Sequence, residues 1–144
     1  EVIDPKRFNN EHYKTRLFDR ITFSEKEVND ILSPQIIVIP AHGYILGVSF
    51  EYLRIPRFLK GRCVGKSTYA RCGIIVNTTP LEPEWEGHLT IEISNSSPCP
   101  AILYVMQGIA QLEFEQMYGE VEESYKDKSG KYNKQIGVTP ARVL

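Results

Sequence analysis

Glu92 sits in the middle of an alternating stretch, His88-Leu89-Thr90-Ile91-Glu92-Ile93-Ser94. As a β-strand, this stretch puts Leu89, Ile91 and Ile93 on one face and His88, Thr90, Glu92 and Ser94 on the other. Glutamate is depleted in strand interiors, so a carboxylate held there is a candidate for proton transfer. Partly desolvated, it could take a proton from water and give it back near neutral pH. The plainer alternative is a half-buried sheet with a wet outer face. A second candidate is Gly65-Lys66-Ser67, a turn whose hydroxyl and helix-start amides could meet a phosphate. It is not a Walker-type loop, which needs a glycine five places before Gly65, where Lys60 stands. Charge is also unevenly spread. Lys60, Arg62, Lys66 and Arg71 form one acid-free basic stretch, and Lys126, Lys128, Lys131 and Lys134 form another, diluted by Asp127. Glu82, Glu84, Glu86 and Glu92 lie between them. The two cationic clusters could clamp a polyphosphate, or they could be solvated loops.

Other chemistries lack their residue patterns. His12, His42 and His88 are not followed two places on by glutamate, and no Cys-x-x-Cys occurs, so the usual zinc-deaminase ligand set is missing. No local Ser/His/Asp or Cys/His signature is recognisable either. Cys63, Cys72 and Cys99 are an odd number without metal-type spacing, which argues for reduced thiols and a cytoplasmic setting. In that setting the sequons at Asn77 and Asn95 carry no meaning. A formal charge of -1, from 17 basic and 18 acidic residues, argues against nucleic acid as a partner. No apolar run is long enough to span a bilayer. The 144 residues, 42% hydrophobic, are one globular domain's worth.

Short strands must position these groups. Apolar, β-branched runs bounded by Pro, Gly and Asn are expected to form strands near Ile36-Ile39, Tyr44-Ile55, Ile74-Thr78, Leu89-Ser94, Ala101-Val105 and Ile109-Glu115. Many strands and few helices predict a mainly β sandwich or barrel. Residues 1–34 read as an irregular lead-in, with Ser24-Glu25-Lys26-Glu27 as a capping box for a short helix to about Leu32. Ser67 is the expected N-cap of a one-turn helix, Thr68 to Cys72, ended by Gly73. The polar, lysine-rich stretch from Tyr125 to Asn133 is expected to be mobile unless something orders it.

With these residues in view, the chain resembles the bacterial dCTP deaminases. Gly65-Lys66-Ser67-Thr68-Tyr69-Ala70-Arg71-Cys72-Gly73-Ile74-Ile75-Val76-Asn77 is similar to that family's signature, and Trp85 to Asn95 is similar to its catalytic strand. Gly108-Ile109-Ala110-Gln111, Ser124-Tyr125-Lys126-Asp127 and Gly130-Lys131-Tyr132-Asn133-Lys134-Gln135 follow in order and spacing. The likeness runs from about Val2 to the C-terminus. Two departures stand out. Family members normally begin with a further segment holding a Gly-Tyr-Asp strand, whereas the Gly43-Tyr44 here is followed by Ile45. The usual Ala-Asn-Glu-Gly reads Val105-Met106-Gln107-Gly108.

The resemblance implies a dUTPase-like (β-clip) distorted barrel or jelly roll with one or two short helices, in a single domain. It also implies a homotrimer with sites between subunits, zinc-free hydrolysis of dCTP to dUTP and ammonia, and Mg2+ bound through the triphosphate rather than by protein side chains. By position, Glu92 would be the general base, with Ser67 and Arg71 beside the attacking water and the phosphates. Lys66, Thr68, Tyr69 and Ala70 would complete the phosphate-binding turn, and Thr90 and Ile91 would hold the pyrimidine edge. Gln111 would touch the nucleotide, while Tyr125, Lys131 and Gln135 would belong to a segment, 125–144, closing over it. TTP is a candidate inhibitor. The rival readings are a dUTPase, a bifunctional deaminase and dUTPase, and a non-catalytic nucleotide-binding relative. A dUTPase needs an aspartate in the turn that here reads Thr78-Thr79-Pro80-Leu81-Glu82.

Overall fold

A computed structural model describes residues 36–105 and 107–142. The expected lead-in and the Ser24 helix lie outside the described residues. Contacts gather into two compact units that interleave along the chain. Within the described residues, the first comprises 36–45, 66–75, 94–105 and 107–109, and the second 46–65, 76–93 and 110–142.

In the first unit, two apolar quartets pair. Strand β1 (Ile36–Ile39) runs antiparallel to β6 (Ala101–Tyr104), with Ile36 opposite Tyr104 and Ile39 opposite Ala101. Ile39, Ala101 and Ile102 are at most 1% exposed, and burying each large aliphatic side chain stabilises by about 1.5–3 kcal/mol. Helix α1 (Ser67–Arg71) packs its one buried side chain, Tyr69, so that the phenol oxygen accepts from the Tyr104 amide at 3.3 Å. The N-cap is Lys66, not Ser67 as the sequence suggested: Lys66 has extended φ/ψ and no side-chain cap bond forms. Its carbonyl accepts from the Ala70 amide and its own amide donates to Ile109, which fixes the entry without a serine oxygen. Gly73 stops the helix as expected, at φ +81, where a Cβ would lie 2.8 Å from that of Ser97.

Most of a three-stranded sheet, order β2-β5-β4, belongs to the second unit; its strands are β2 (Tyr44–Arg54), β4 (Ile74–Asn77) and β5 (Glu86–Asn95). On β5 the alternation holds: Leu89, Ile91 and Ile93 are buried, whereas His88, Thr90, Glu92 and Ser94 are half-buried. Strand β3 (Leu59–Gly65) pairs antiparallel with β7 (Ala110–Gln116), from Leu59 opposite Gln116 to Gly65 opposite Ala110. The sequence reading missed β3, because Lys60-Gly61-Arg62 looks like a basic loop. The register gives those charges partners instead: Lys60 meets Glu115 at 2.9 Å and Arg62 meets Glu113 at 2.7 Å. Gly61 is needed where the strand is crowded on two sides, since a Cβ would come within 3.1 Å of the Phe114 ring and 3.3 Å of Leu81.

The C-terminal stretch, expected to be mobile unless something orders it, is hydrogen-bonded to β5 and the residue before it. Gly87 bridges Gln135 in parallel, Lys134 donates its amide to Glu86, and the Trp85 indole donates to Tyr132 at 3.1 Å. Among the described residues no helix is long and apolar enough to cross a membrane.

Candidate functional site

The candidate residues fall in both units. In the first, Lys66 to Arg71 occupy the turn and helix that follow β3. Ser67, Thr68, Ala70 and Arg71 are exposed, Lys66 is half-buried, and Tyr69 faces the core. The Lys66 ammonium passes over Gly108, where a Cβ would lie only 2.8 Å from Nζ. Glycine at 108 therefore leaves the path of that cation open. No ion pair to Lys66 or Arg71 occurs among the described residues, so both remain available for an anion.

In the second unit, Thr90, Ile91 and Glu92 are consecutive on β5. Ile91 is 8% exposed, its side chain on the buried face of the strand. The Thr90 hydroxyl accepts from the Thr139 amide at 3.3 Å. One Glu92 oxygen, Oε2, accepts from the Asn77 side-chain amide at 2.5 Å. Asn77 ends β4, beside β5 in the sheet. Its link to Glu92 leaves no mark in the sequence, because the two residues meet across neighbouring strands.

The C-terminal candidates are placed in different ways. Gln135 is 7% exposed, and its side-chain amide donates to the His88 carbonyl at 2.7 Å, on the same strand as Thr90 and Glu92. Tyr125 is half-buried, its phenol oxygen accepting from the Tyr132 amide at 3.0 Å. Lys131 is exposed and reaches the Arg142 carbonyl at 3.5 Å. Gln111 is exposed on β7, opposite Val64.

Arg57, on which no sequence motif falls, anchors this stretch. Its guanidinium donates to Glu84 at 2.6 Å, to Asp127 at 2.8 Å and to the Val121 carbonyl at 2.9 Å. The Ser124 hydroxyl, and after it Arg57, holds the Glu84 carboxyl below its ordinary range. Asp127 is lowered first by the Ser124 amide, then by Arg57. Lys128 pairs with Glu82, and Arg54 and Lys134 with Glu86. Much of the acidic block and of the second basic cluster thus neutralise one another, which leaves Lys126 and Lys131 outside any ion pair among the described residues. A pocket of about 300 Å³ opens here, lined by Arg54, Arg57, Glu84, Trp85, Lys126 and Lys134 among others; Glu92 is not part of it.

Among the described residues no three His, Cys, Asp or Glu side chains gather as a metal-binding group, and Cys63 and Cys99 are free thiols.

Comparison with known proteins fits this arrangement. A family model described as dCTP deaminase-like matches residues 4–117. The chain belongs to that family. A dCTP deaminase of Wolinella succinogenes is 53% identical over 143 residues, spanning 99% of this chain and 68% of that one. Its counterparts from Nitratiruptor sp. and Ectopseudomonas mendocina are 47% and 50% identical, over 100% and 96% of this chain and 69% and 72% of theirs. Among solved structures, the native EIAV dUTPase matches with a TM-score of 0.54 at 22% identity, over 62% of this chain and 75% of that one. That likeness gives the fold: the mainly β, dUTPase-like architecture expected from the dCTP deaminase resemblance is present.

Proposed function

We propose that this protein hydrolyses dCTP to dUTP and ammonia, with Glu92 as the proton-transferring group. The observation that carries the reading is the position of Glu92, half-buried on the polar face of β5 and oriented by an amide. Glu92 takes a proton from water as the oxygen attacks C4 of the cytosine ring. It passes that proton to ring N3 and then carries the second, from the new hydroxyl at C4, to the departing amino group, so a C4 carbonyl and an N3–H form and ammonia leaves with no net change at the protein. A strand suits the task because its backbone is fixed and its polar face offers donors and acceptors at regular spacing.

Ser67, Thr68, Lys66 and Arg71 serve the phosphates and the attacking water, since a triphosphate needs several cationic and hydroxyl partners. Mg2+, if bound through the triphosphate, would supply further counter-charge. The backbone of Thr90 and Ile91 recognises the pyrimidine edge, Gln111 meets the nucleotide, and Tyr125, Lys131 and Gln135 act from the C-terminal stretch. The working form is a cytoplasmic homotrimer with TTP as a regulatory ligand. Glu82, in the turn where a dUTPase would orient its water, is paired with Lys128 instead, which favours deamination over diphosphate hydrolysis.

The test is incubation with dCTP and Mg2+, resolving dUTP, dUMP and unreacted dCTP while ammonia is measured. Glu92→Gln, isosteric but unable to accept the proton, is expected to lower ammonia release by about 10²–10⁴-fold with dCTP binding nearly intact. Substantial residual turnover refutes the role of Glu92. Arg71→Ala is expected to weaken binding and turnover together, and unchanged kinetics would remove Arg71 from the site.

A further inference from the structure

We propose that Asn77 is a positioning residue for Glu92, fixing which carboxylate oxygen takes the proton. The inference rests on the reading of Glu92 as the proton acceptor. Three observations support it.

The first is geometry: Nδ2 of Asn77 donates to Oε2 of Glu92 at 2.5 Å, across from the last residue of β4 to the middle of β5. A carboxylate on a free side chain rotates about its last bond, and a single donor on one oxygen holds its plane. With Oε2 engaged, Oε1 is left to receive the proton.

The second is the chemistry of the donor. Asn77 is neutral. A lysine or arginine at the same place would favour the charged carboxylate and make it a weaker base, whereas an amide orients it without adding a full charge.

The third is the surroundings. The titratable and charged groups that the second unit offers around β5 are otherwise committed or sit on other strands. On β5 itself, Glu86 is paired with Arg54 and Lys134, and His88 faces the Ser49 carbonyl through Nδ1 at 3.1 Å. On β2, Arg54 is taken by Glu86, Tyr52 packs edge-on against His88, and Glu51 forms no ion pair among the described residues. Strand β4, Ile74-Ile75-Val76-Asn77, carries no charge. Glu92 has no ion pair among the described residues, so the Asn77 amide is what organises it there.

Two substitutions separate this role from mere packing. Asn77→Ala removes the donor, and kcat is expected to fall about 10-fold or more with KM nearly unchanged, because substrate contacts stay while the base loses its alignment. Asn77→Asp keeps the shape but sets two carboxyl groups against each other. Set this close, each raises the other's cost of ionising, so the acidic limb of the kcat profile is expected to move to higher pH. The ¹³C carboxyl resonance of Glu92 in the nucleotide-free protein should titrate at correspondingly higher pH in Asn77→Asp than in wild type, a readout that needs no turnover.

An unmoved acidic limb and an unmoved resonance in Asn77→Asp overturn the proposal, as does an Asn77→Ala enzyme within twofold of wild-type kcat. Glu92→Gln is run alongside. If that variant turns over normally, the reading of Glu92 itself fails. If it is inactive while the Asn77 variants behave as wild type, only the positioning role fails.

Discussion

Asn95, the last residue of β5, offers the sharpest test of how the candidate strand is held. It is 1% exposed, and its Nδ2 donates to the carbonyls of Ile39 at 3.2 Å, Pro40 at 3.0 Å and Cys99 at 2.8 Å, while Oδ1 accepts from the Ser97 amide at 2.9 Å. One side chain thus closes the turn after β5 onto the end of β1. Alanine removes all four contacts. The Ser97 amide has a single hydrogen to donate and loses its partner in a buried place, at a cost of about 1–3 kcal/mol; the carbonyls, each with a second lone pair, lose less. Asn95→Ala is therefore expected to destabilise by about 3 kcal/mol, or about 10 °C in Tm for a chain of this size. Asn95→Asp should be no better, since a carboxylate would face three carbonyl oxygens. Urea unfolding followed by circular dichroism, at one protein concentration, measures both. Ser96→Ala is the control: it loses an exposed 2.9 Å bond to the Gly73 carbonyl and should cost under about 1 kcal/mol. If Asn95→Ala is no worse than the control, the buried hydrogen bonds do not hold this turn.

Other outcomes follow from the same geometry. Gly130→Ala would set a Cβ 2.3 Å from the Tyr125 ring, so the ring must leave and the C-terminal stretch should be cut faster by trypsin; Tyr125→Ala in the same chain should relieve the clash. Glu84 and Asp127 are both held below their ordinary values of 4.5 and 3.8 by Ser124 and Arg57. Their stabilising contribution is then full above the ordinary carboxylate range and lost as pH falls through the lowered values, so Ser124→Ala, which removes the hydroxyl but keeps the amide, should weaken the part of the acid limb that Glu84 supplies. Burial raises the Cys63 thiol, and Cys72 is 2% exposed, so a thiol reagent should titrate three groups in urea but leave Cys72 slowest in the native protein.

Strands whose burial alternates or whose residues are uniformly apolar were legible in the sequence. Ile36–Ile39 matches its expected span, and β5 shows the expected faces, because period-two burial is written directly into residue type. Strand β3 was hidden because its stabilising partners, Glu113 and Glu115, lie about fifty residues away, and no local pattern announces a cross-strand ion pair. Ser67 looked like a cap on composition alone, whereas the Lys66 and Ile109 backbones do the work of fixing the helix start. Glu92 was visible as a candidate because a mid-strand acid breaks a propensity rule. Asn77 was not, since its meaning depends on which strand lies next to which. The C-terminal order was equally illegible: a polar, lysine-rich stretch looks unstructured until its backbone finds Gly87 and its charges find Glu82 and Glu86.

The seam between Gly87 and Gln135 is made of main-chain atoms and two side chains that are not exposed: Gln135 offers its carbonyl to the His88 amide and its side-chain amide to the His88 carbonyl, Lys134 donates its amide to Glu86, and Asn133 Oδ1 accepts from Glu86. Side chains along the exposed edge of that ribbon can therefore vary without unpicking it. Gly87 cannot, standing at φ +149 with the Gln135 backbone nitrogen only 3.1 Å from where a Cβ would be. A saturation library across 126–138 should accordingly tolerate exchanges at Lys126, Lys128 and Lys134 far better than any replacement at the one glycine that faces them from outside the library window.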